Sequence, residues 1–150
     1  MRPNTTVTRL EAGTGPLRSW RDIAEVGPEV SGVGEYTTTL HLDQEPQAGS
    51  RYTLDLGSTA GGLGSVRIND GELKGFDTSA PTVDVTEDLR SGDNTVTIRV
   101  ASSLNNRLLA RGYYGQVRDI VTEWGEGDPQ MQSTEVRAHG LLGPVRLLRE

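Results

Sequence analysis

Apolar and polar residues alternate along most of this chain. In Glu35–Leu42 (EYTTTLHL), Tyr36, Thr38, Leu40 and Leu42 fall on one side, and Glu35, Thr37, Thr39 and His41 on the other. A period of two in a segment rich in β-branched residues is the mark of a strand with one buried face. Arg51–Leu56 repeats the pattern, with Tyr52, Leu54 and Leu56 inward. Val66 and Ile68 continue it up to Asn69-Asp70-Gly71, a tight-turn signal. Thr82–Val85 predicts a short strand. Asn94–Ala101 (NTVTIRVA) predicts a longer one, with Val96, Ile98 and Val100 sharing a face. Thr134–Ala138 and Val145–Leu148 are the last predicted strands. Turn-forming clusters separate these runs, among them Gly27-Pro28, Gly61-Gly62, Ser91-Gly92-Asp93 and Gly125–Pro129. Short strands with such regular punctuation predict an all-β fold, an antiparallel β-sandwich or a barrel. Helical periodicity is weak. Leu17–Ala24 is expected to hold a short turn capped by Ser19 or Asp22, and Thr86–Leu89 a single turn.

Composition adds limits to this picture. The chain has 150 residues, enough for one ordinary domain. Its hydrophobic fraction of 33% rises to about 46% once the 19 glycines are counted, which is within the globular range. The absence of cysteine excludes a disulfide scaffold, a thiolate metal site and a cysteine nucleophile. A net charge of −6 argues against nucleic acid as a partner. No apolar run approaches the length of a membrane span, so no membrane partner is expected. The first ten residues, MRPNTTVTRL, lack a signal peptide's apolar stretch, so an exported parent chain would carry its signal elsewhere. The last predicted strand runs almost to Glu150, the arrangement expected of a module of a longer chain. Arginines dominate the basic residues, with Lys74 the one lysine. Their forked donors suit hydroxyl pairs without by themselves indicating a ligand.

Three segments together resemble one family. They are the Trp20 segment leading to Ser31-Gly32-Val33-Gly34-Glu35-Tyr36-Thr37-Thr38-Thr39-Leu40, the run from Val83-Asp84-Val85-Thr86 through Ser91-Gly92-Asp93-Asn94-Thr95-Val96, and Gly140-Leu141-Leu142-Gly143-Pro144-Val145-Arg146-Leu147. In this order they resemble the sugar-binding, galactose-binding-like jelly-roll domain of family 2 glycoside hydrolases and of related α-L-rhamnosidase-like enzymes. The resemblance implies a single such domain over residues 1–150, with its core over about 17–149. It implies a bacterial accessory domain that binds carbohydrate, or one that braces a neighbouring catalytic domain without holding sugar. A secreted or cell-surface setting goes with it. Read on their own, the same residues are architectural. Gly34 permits close backbone approach, Asp84 and Thr86 bond local backbone, and Gly92-Asp93-Asn94 suits a tight return.

The chemistry of an enzyme is hard to find. His41 and His139 stand far apart and form no metal-binding motif. Ala60-Gly61-Gly62-Leu63-Gly64-Ser65 is Gly-rich but lacks the lysine of a phosphate loop. In the family resembled, the catalytic carboxylates belong to a separate barrel, for which this chain has no room. No catalytic residue is therefore expected. No cofactor is expected with certainty either. A structural calcium is the candidate, with Asp119, Glu123, Glu126 and Asp128 as weak ligands. The segment after Ala101 points to a sugar instead. Asn105, Asn106, Arg107 and Arg111 offer forked donors and acceptors for hydroxyls, and Tyr113 and Tyr114 offer flat faces. Trp124, in the Gly-rich stretch Glu123–Gly127, is a further stacking platform. Asn105 and Asn106 fit equally well as turn caps, Tyr113 and Tyr114 as alternating strand residues, and Trp124 as an anchor pinning its loop.

Overall fold

The computed structural model describes residues 6–117 and 135–150. The alternating segments form β1 (Val33–Leu42), β2 (Tyr52–Asp55), β3 (Leu63–Ile68), β5 (Thr82–Asp84), β6 (Gly92–Ala101) and β7 (Arg146–Arg149), and Lys74–Phe76, for which no strand is predicted, forms β4. They make two antiparallel sheets. One has the order β1-β6-β3-β4 and the other β5-β2-β7. The sheets pack face to face, as the alternation requires: each strand turns its apolar set toward the other sheet. Leu54 and Val83 meet Val66, Ile68, Val96, Ile98 and Val100 in one buried cluster, joined by Leu56, Val85 and Leu141. The architecture is an all-β sandwich.

The registers show which residues share a face. Tyr36 lies opposite Ile98 on the inward face, and the exposed Thr38 lies opposite the buried Val96. Asn94, also on the inward face of β6, is fully buried and lies opposite Leu40. On the outer face, Val33 of β1 and Leu63 of β3 both lie opposite Ala101, one on each side. At the other end of β3, Asn69 takes a positive φ of 51° in the tight turn closed by Gly71 N–H donating to Ile68 O. Asparagine tolerates that backbone region better than most side chains.

Trp20 starts a 3-10 turn, Trp20–Asp22, and is buried beside the sandwich. Two glycines make its slot. A Cβ at Gly34 would stand 2.4 Å from the Trp20 ring, and one at Gly140, where φ is +91°, 2.4 Å from its Nε1. The close approach expected at Gly34 is thus the seat of an aromatic ring. The indole N–H donates to Tyr36 OH at 2.5 Å, and Leu141 N–H donates to the same oxygen at 2.9 Å.

Three expectations are corrected. Residues 135–138 of the predicted strand Thr134–Ala138 are not strand. Their carbonyls are taken by side chains rather than by a neighbouring strand. Asn105 Nδ2 donates to Glu135 O, Arg21 Nη1 to Val136 O, and Asn106 Nδ2 to Arg137 O. The segment after β6, where turn caps and alternating strand residues were the architectural expectation, contains a helix, α1 (Asn105–Ala110), and residues 113–117 are helical as well, so Tyr113 and Tyr114 do not alternate across a sheet. Ser19 occupies the N-cap position of its turn but makes no cap bond. Its hydroxyl instead exchanges hydrogen bonds with His139, accepting from N–H at 3.1 Å and donating to O at 3.3 Å.

Candidate binding rim and polar cleft

The residues proposed for sugar contact fall into two groups. Asn105 and Asn106 are buried, at 9% and 4% exposure. Asn106 pairs with the backbone of Arg137 as a strand would, donating to its O at 2.8 Å and accepting from its N–H at 2.9 Å. Asn105 donates to Asn106 Oδ1 and to Glu135 O and accepts from Tyr114 OH. Their amides work inside the protein, holding the 135–139 segment to α1, and Tyr114 is tied to the same network. Arg107, Arg111 and Tyr113 lie on the exposed side of this segment. Tyr113 stands edge-on to Tyr114, with ring centres 6.0 Å apart. Trp124 and the calcium candidates Asp119, Glu123, Glu126 and Asp128 lie outside the described residues. Among the described residues, no group of three or more histidine and carboxylate side chains could hold a metal ion.

His139 sits at the centre of the network, 5% exposed, with its ring edge-on to Trp20 at 5.2 Å. The Arg137 backbone orients the Asn106 amide so that its Nδ2 points at His139 Nδ1, 2.5 Å away. Nδ1 therefore accepts, which places the neutral ring's proton on Nε2. Nε2 is buried and has no hydrogen-bond partner among the described residues. Burial lowers the His139 pKa, opposed by the Arg137 carbonyl 3.2 Å from Nδ1 and assisted by the nearby Arg21 charge. A histidine with a folded pKa below its unfolded value stabilises the fold fully above about pH 6.5, and that contribution is lost as pH falls from there through the folded pKa. Thermal unfolding is expected to show a falling midpoint from pH 7.5 to 5. His139→Gln, which cannot protonate, is expected to flatten that fall. His41 acts in the opposite sense. Its exposed ring bonds Asp93 at 2.6 Å, which raises its pKa, so its contribution is present at low pH and lost as pH rises through the folded value. An unchanged slope in His139→Gln would assign the acid sensitivity to other groups.

A polar cleft of about 420 Å³ opens elsewhere, lined by Ser50, Arg51, Lys74, Asp84, Thr86 and Glu87. Pairing of β2 with β5 brings Arg51 and Asp84 together, and Arg51 Nε donates to Asp84 Oδ2 at 2.9 Å. Asp84 Oδ1 accepts from Thr86 N–H at 3.0 Å and from its hydroxyl at 2.7 Å. Chiefly these Thr86 bonds, with help from Arg51, hold the Asp84 carboxyl down at about 2. Lys74 Nζ donates to Asp84 O at 2.9 Å and also pairs with Asp88. The expectation that both residues bond local backbone holds for Asp84, which accepts from Thr86 N–H, whereas the Thr86 hydroxyl meets the Tyr52 backbone 34 positions away, and Arg51, 33 positions from Asp84, was not expected. The one available signal was the pair of charged residues flanking two predicted strands.

The cleft and the rim lie toward opposite ends of the sandwich. Thr86–Asp88, a 3-10 turn, leads into the first residue of β6, whereas α1 follows its last. Ten strand residues separate them, roughly 30 Å.

No family model and no curated protein matches the chain. Solved structures do. A rhamnosidase from Novosphingobium sp. PP1Y is similar over 89% of this chain, with 26% identity and a TM-score of 0.65. An FMN-binding beta-glucuronidase from Facaelibacterium prausnitzii L2-6 is similar over 88% of it, with 18% identity and a TM-score of 0.52, a likeness of fold alone. The chain spans only 12% and 18% of those two chains. Its fold is thus one that occurs as a minor part of larger glycoside hydrolase chains.

Proposed function

We propose that this chain is a non-catalytic accessory domain of a bacterial glycoside hydrolase and that it braces the catalytic portion through the rim at the end of β6. One observation carries the reading. Val33 and Leu63 are each 61% exposed and flank Ala101 in a single row across three strands. Adjacent strands are about 4.8 Å apart, so the two side chains stand roughly 10 Å from one another over the small alanine. Leu104, three residues beyond, is 63% exposed. Apolar side chains set side by side on a sheet face are an unusual use of a soluble surface, and they fit a partner that covers them. The small share of the rhamnosidase chain that this fold occupies supports the same reading. An exported or cell-surface parent goes with it.

The test is association in trans. The tagged chain is expected to capture the separately expressed catalytic domain of the glycoside hydrolase encoded with it. Val33→Lys combined with Leu63→Lys is expected to weaken capture at least about tenfold, equivalent to about 1.4 kcal/mol. Exposed substitutions of this kind should move the thermal midpoint by no more than about 2 °C. Capture unaffected by the double substitution would rule out docking through this row.

A second reading, direct carbohydrate binding at the rim, is favoured by the exposure of Arg107, Arg111 and Tyr113 on one short stretch. It would use guanidinium donors for hydroxyls and a ring face for apolar sugar carbons, with Trp124 as a further platform. Asn105 and Asn106 would serve it by positioning α1.

A further inference from the structure

We propose that the polar cleft between β2, β4 and β5 is a second ligand site, one that grips a pair of adjacent hydroxyls on a neutral saccharide. The proposal shares its ligand class with the second reading above but none of its residues.

The cleft is organised so that some groups are consumed and others are left to act. Asp84 is saturated by Thr86 and Arg51. Thr86 is itself fixed, since Tyr52 N–H donates to its Oγ1 at 2.9 Å. Lys74 is committed to Asp84 O and Asp88. Arg51 is anchored through Nε alone, which sets the plane of the guanidinium and leaves its two terminal nitrogens without a partner among the described residues. The Glu87 carboxylate and the Ser50 hydroxyl, on the same cleft, also have no partner among the described residues.

A fixed fork of donors beside a carboxylate acceptor suits one chemistry above others. A hydroxyl both donates and accepts, so each member of a vicinal pair can accept from Arg51 and donate to Glu87 or Ser50. Charge argues against the alternatives. Arg51 and Lys74 face Asp84, Glu87 and Asp88, so the site is close to neutral with a slight negative balance. A phosphate or a uronate would meet Glu87 unfavourably, and a metal cation would have to displace Arg51 and Lys74 from Asp84. A neutral polyol meets neither penalty. Among the described residues no aromatic ring lines the cleft, so affinity rests on hydrogen bonds exchanged with water, and dissociation constants of about 1–10 mM are expected.

The experiment is an amide-resolved NMR titration of the 150-residue chain with methyl α-D-mannopyranoside, which carries a vicinal diol. Saturable shifts are expected at Ser50, Arg51, Thr86 and Glu87. Glu87→Gln and Arg51→Lys, both at exposed positions, are expected to weaken binding at least about fivefold while leaving the remaining spectrum in place. Sodium glucuronate is expected to bind more weakly than the neutral glycoside. Absence of saturable shifts at these residues up to about 100 mM overturns the proposal, as does binding that both substitutions leave unchanged. Shifts confined to residues 107–113 overturn it too, while upholding carbohydrate binding at the rim. Shifts confined to the cleft do the reverse.

Discussion

Asn94→Leu is expected to lower the stability of this chain by about 4 kcal/mol, seen as a fall of about 10 °C in the thermal midpoint. The size of leucine is close to that of asparagine, so the loss comes from hydrogen bonds and not from a cavity. Asn94 is fully buried on the inward face of β6. Its Oδ1 accepts from Arg90 N–H and from Asn69 Nδ2, both at 3.0 Å. Its Nδ2 donates to Arg90 O at 2.8 Å, to Gly92 O at 3.1 Å and to Leu40 O at 3.4 Å. One amide thus closes the turn from Leu89 into β6 and ties it to the β3–β4 turn at Asn69. Leucine would strip all five partner groups at once in a place water cannot easily reach, and each stranded group costs about 1–3 kcal/mol. A midpoint within about 2 °C of the wild type would show that solvent or a local shift replaces these bonds.

Leu56→Ala is expected to cost a similar amount, about 3–5 kcal/mol, by a different route. Leu56 follows β2, has no exposed surface and belongs to the cluster shared by both sheets. Its surroundings have little freedom to collapse. Its own N–H donates to Pro81 O at 2.9 Å, and the next residue, Gly57, bridges to Gly143. The space left by the missing carbons would therefore persist as a cavity. Leu56→Met keeps the volume and is expected to cost less than about 1.5 kcal/mol. Urea unfolding of the two variants separates the explanations. Equal losses would indicate that side-chain shape at this position, and not cavity volume, sets the cost.

Asn94 also shows where sequence reading stops. Gly92-Asp93-Asn94 reads as a turn because each type favours irregular backbone. Gly92 does adopt a φ of 78°, but Asp93 is a strand residue that pairs with His41, and Asn94 is a core residue. A buried asparagine that serves five backbone and side-chain groups has the same composition as a solvated turn asparagine. Only the neighbours distinguish them. The same holds for Asn105 and Asn106. Their type suggested forked donors for a sugar, and their amides are instead spent on residues 135–139, about thirty positions away. Residues 135–138 failed as a strand for the matching reason: the alternation is present, but among the described residues no strand lies alongside to complete the ladder.

By itself the sequence determined most of the strands and which of their faces turns inward. Inward sets such as Tyr52, Leu54 and Leu56, or Val96, Ile98 and Val100, are dictated by the two-residue period of an extended backbone, which is a local property and can be read without knowing any partner. The turns at Asn69-Asp70-Gly71 and Thr86–Asp88 were legible on the same terms, since their chemistry operates within a few residues. Only the tertiary structure decided which polar groups are left for a ligand. The apolar row of Val33, Ala101 and Leu63 depends on the register of three strands, and the cleft depends on Arg51 and Asp84 meeting across a pair of strands. Whether a hydrogen-bonding group is free is a matter of what lies within about 3 Å of it, and for these residues the neighbours come from distant parts of the chain.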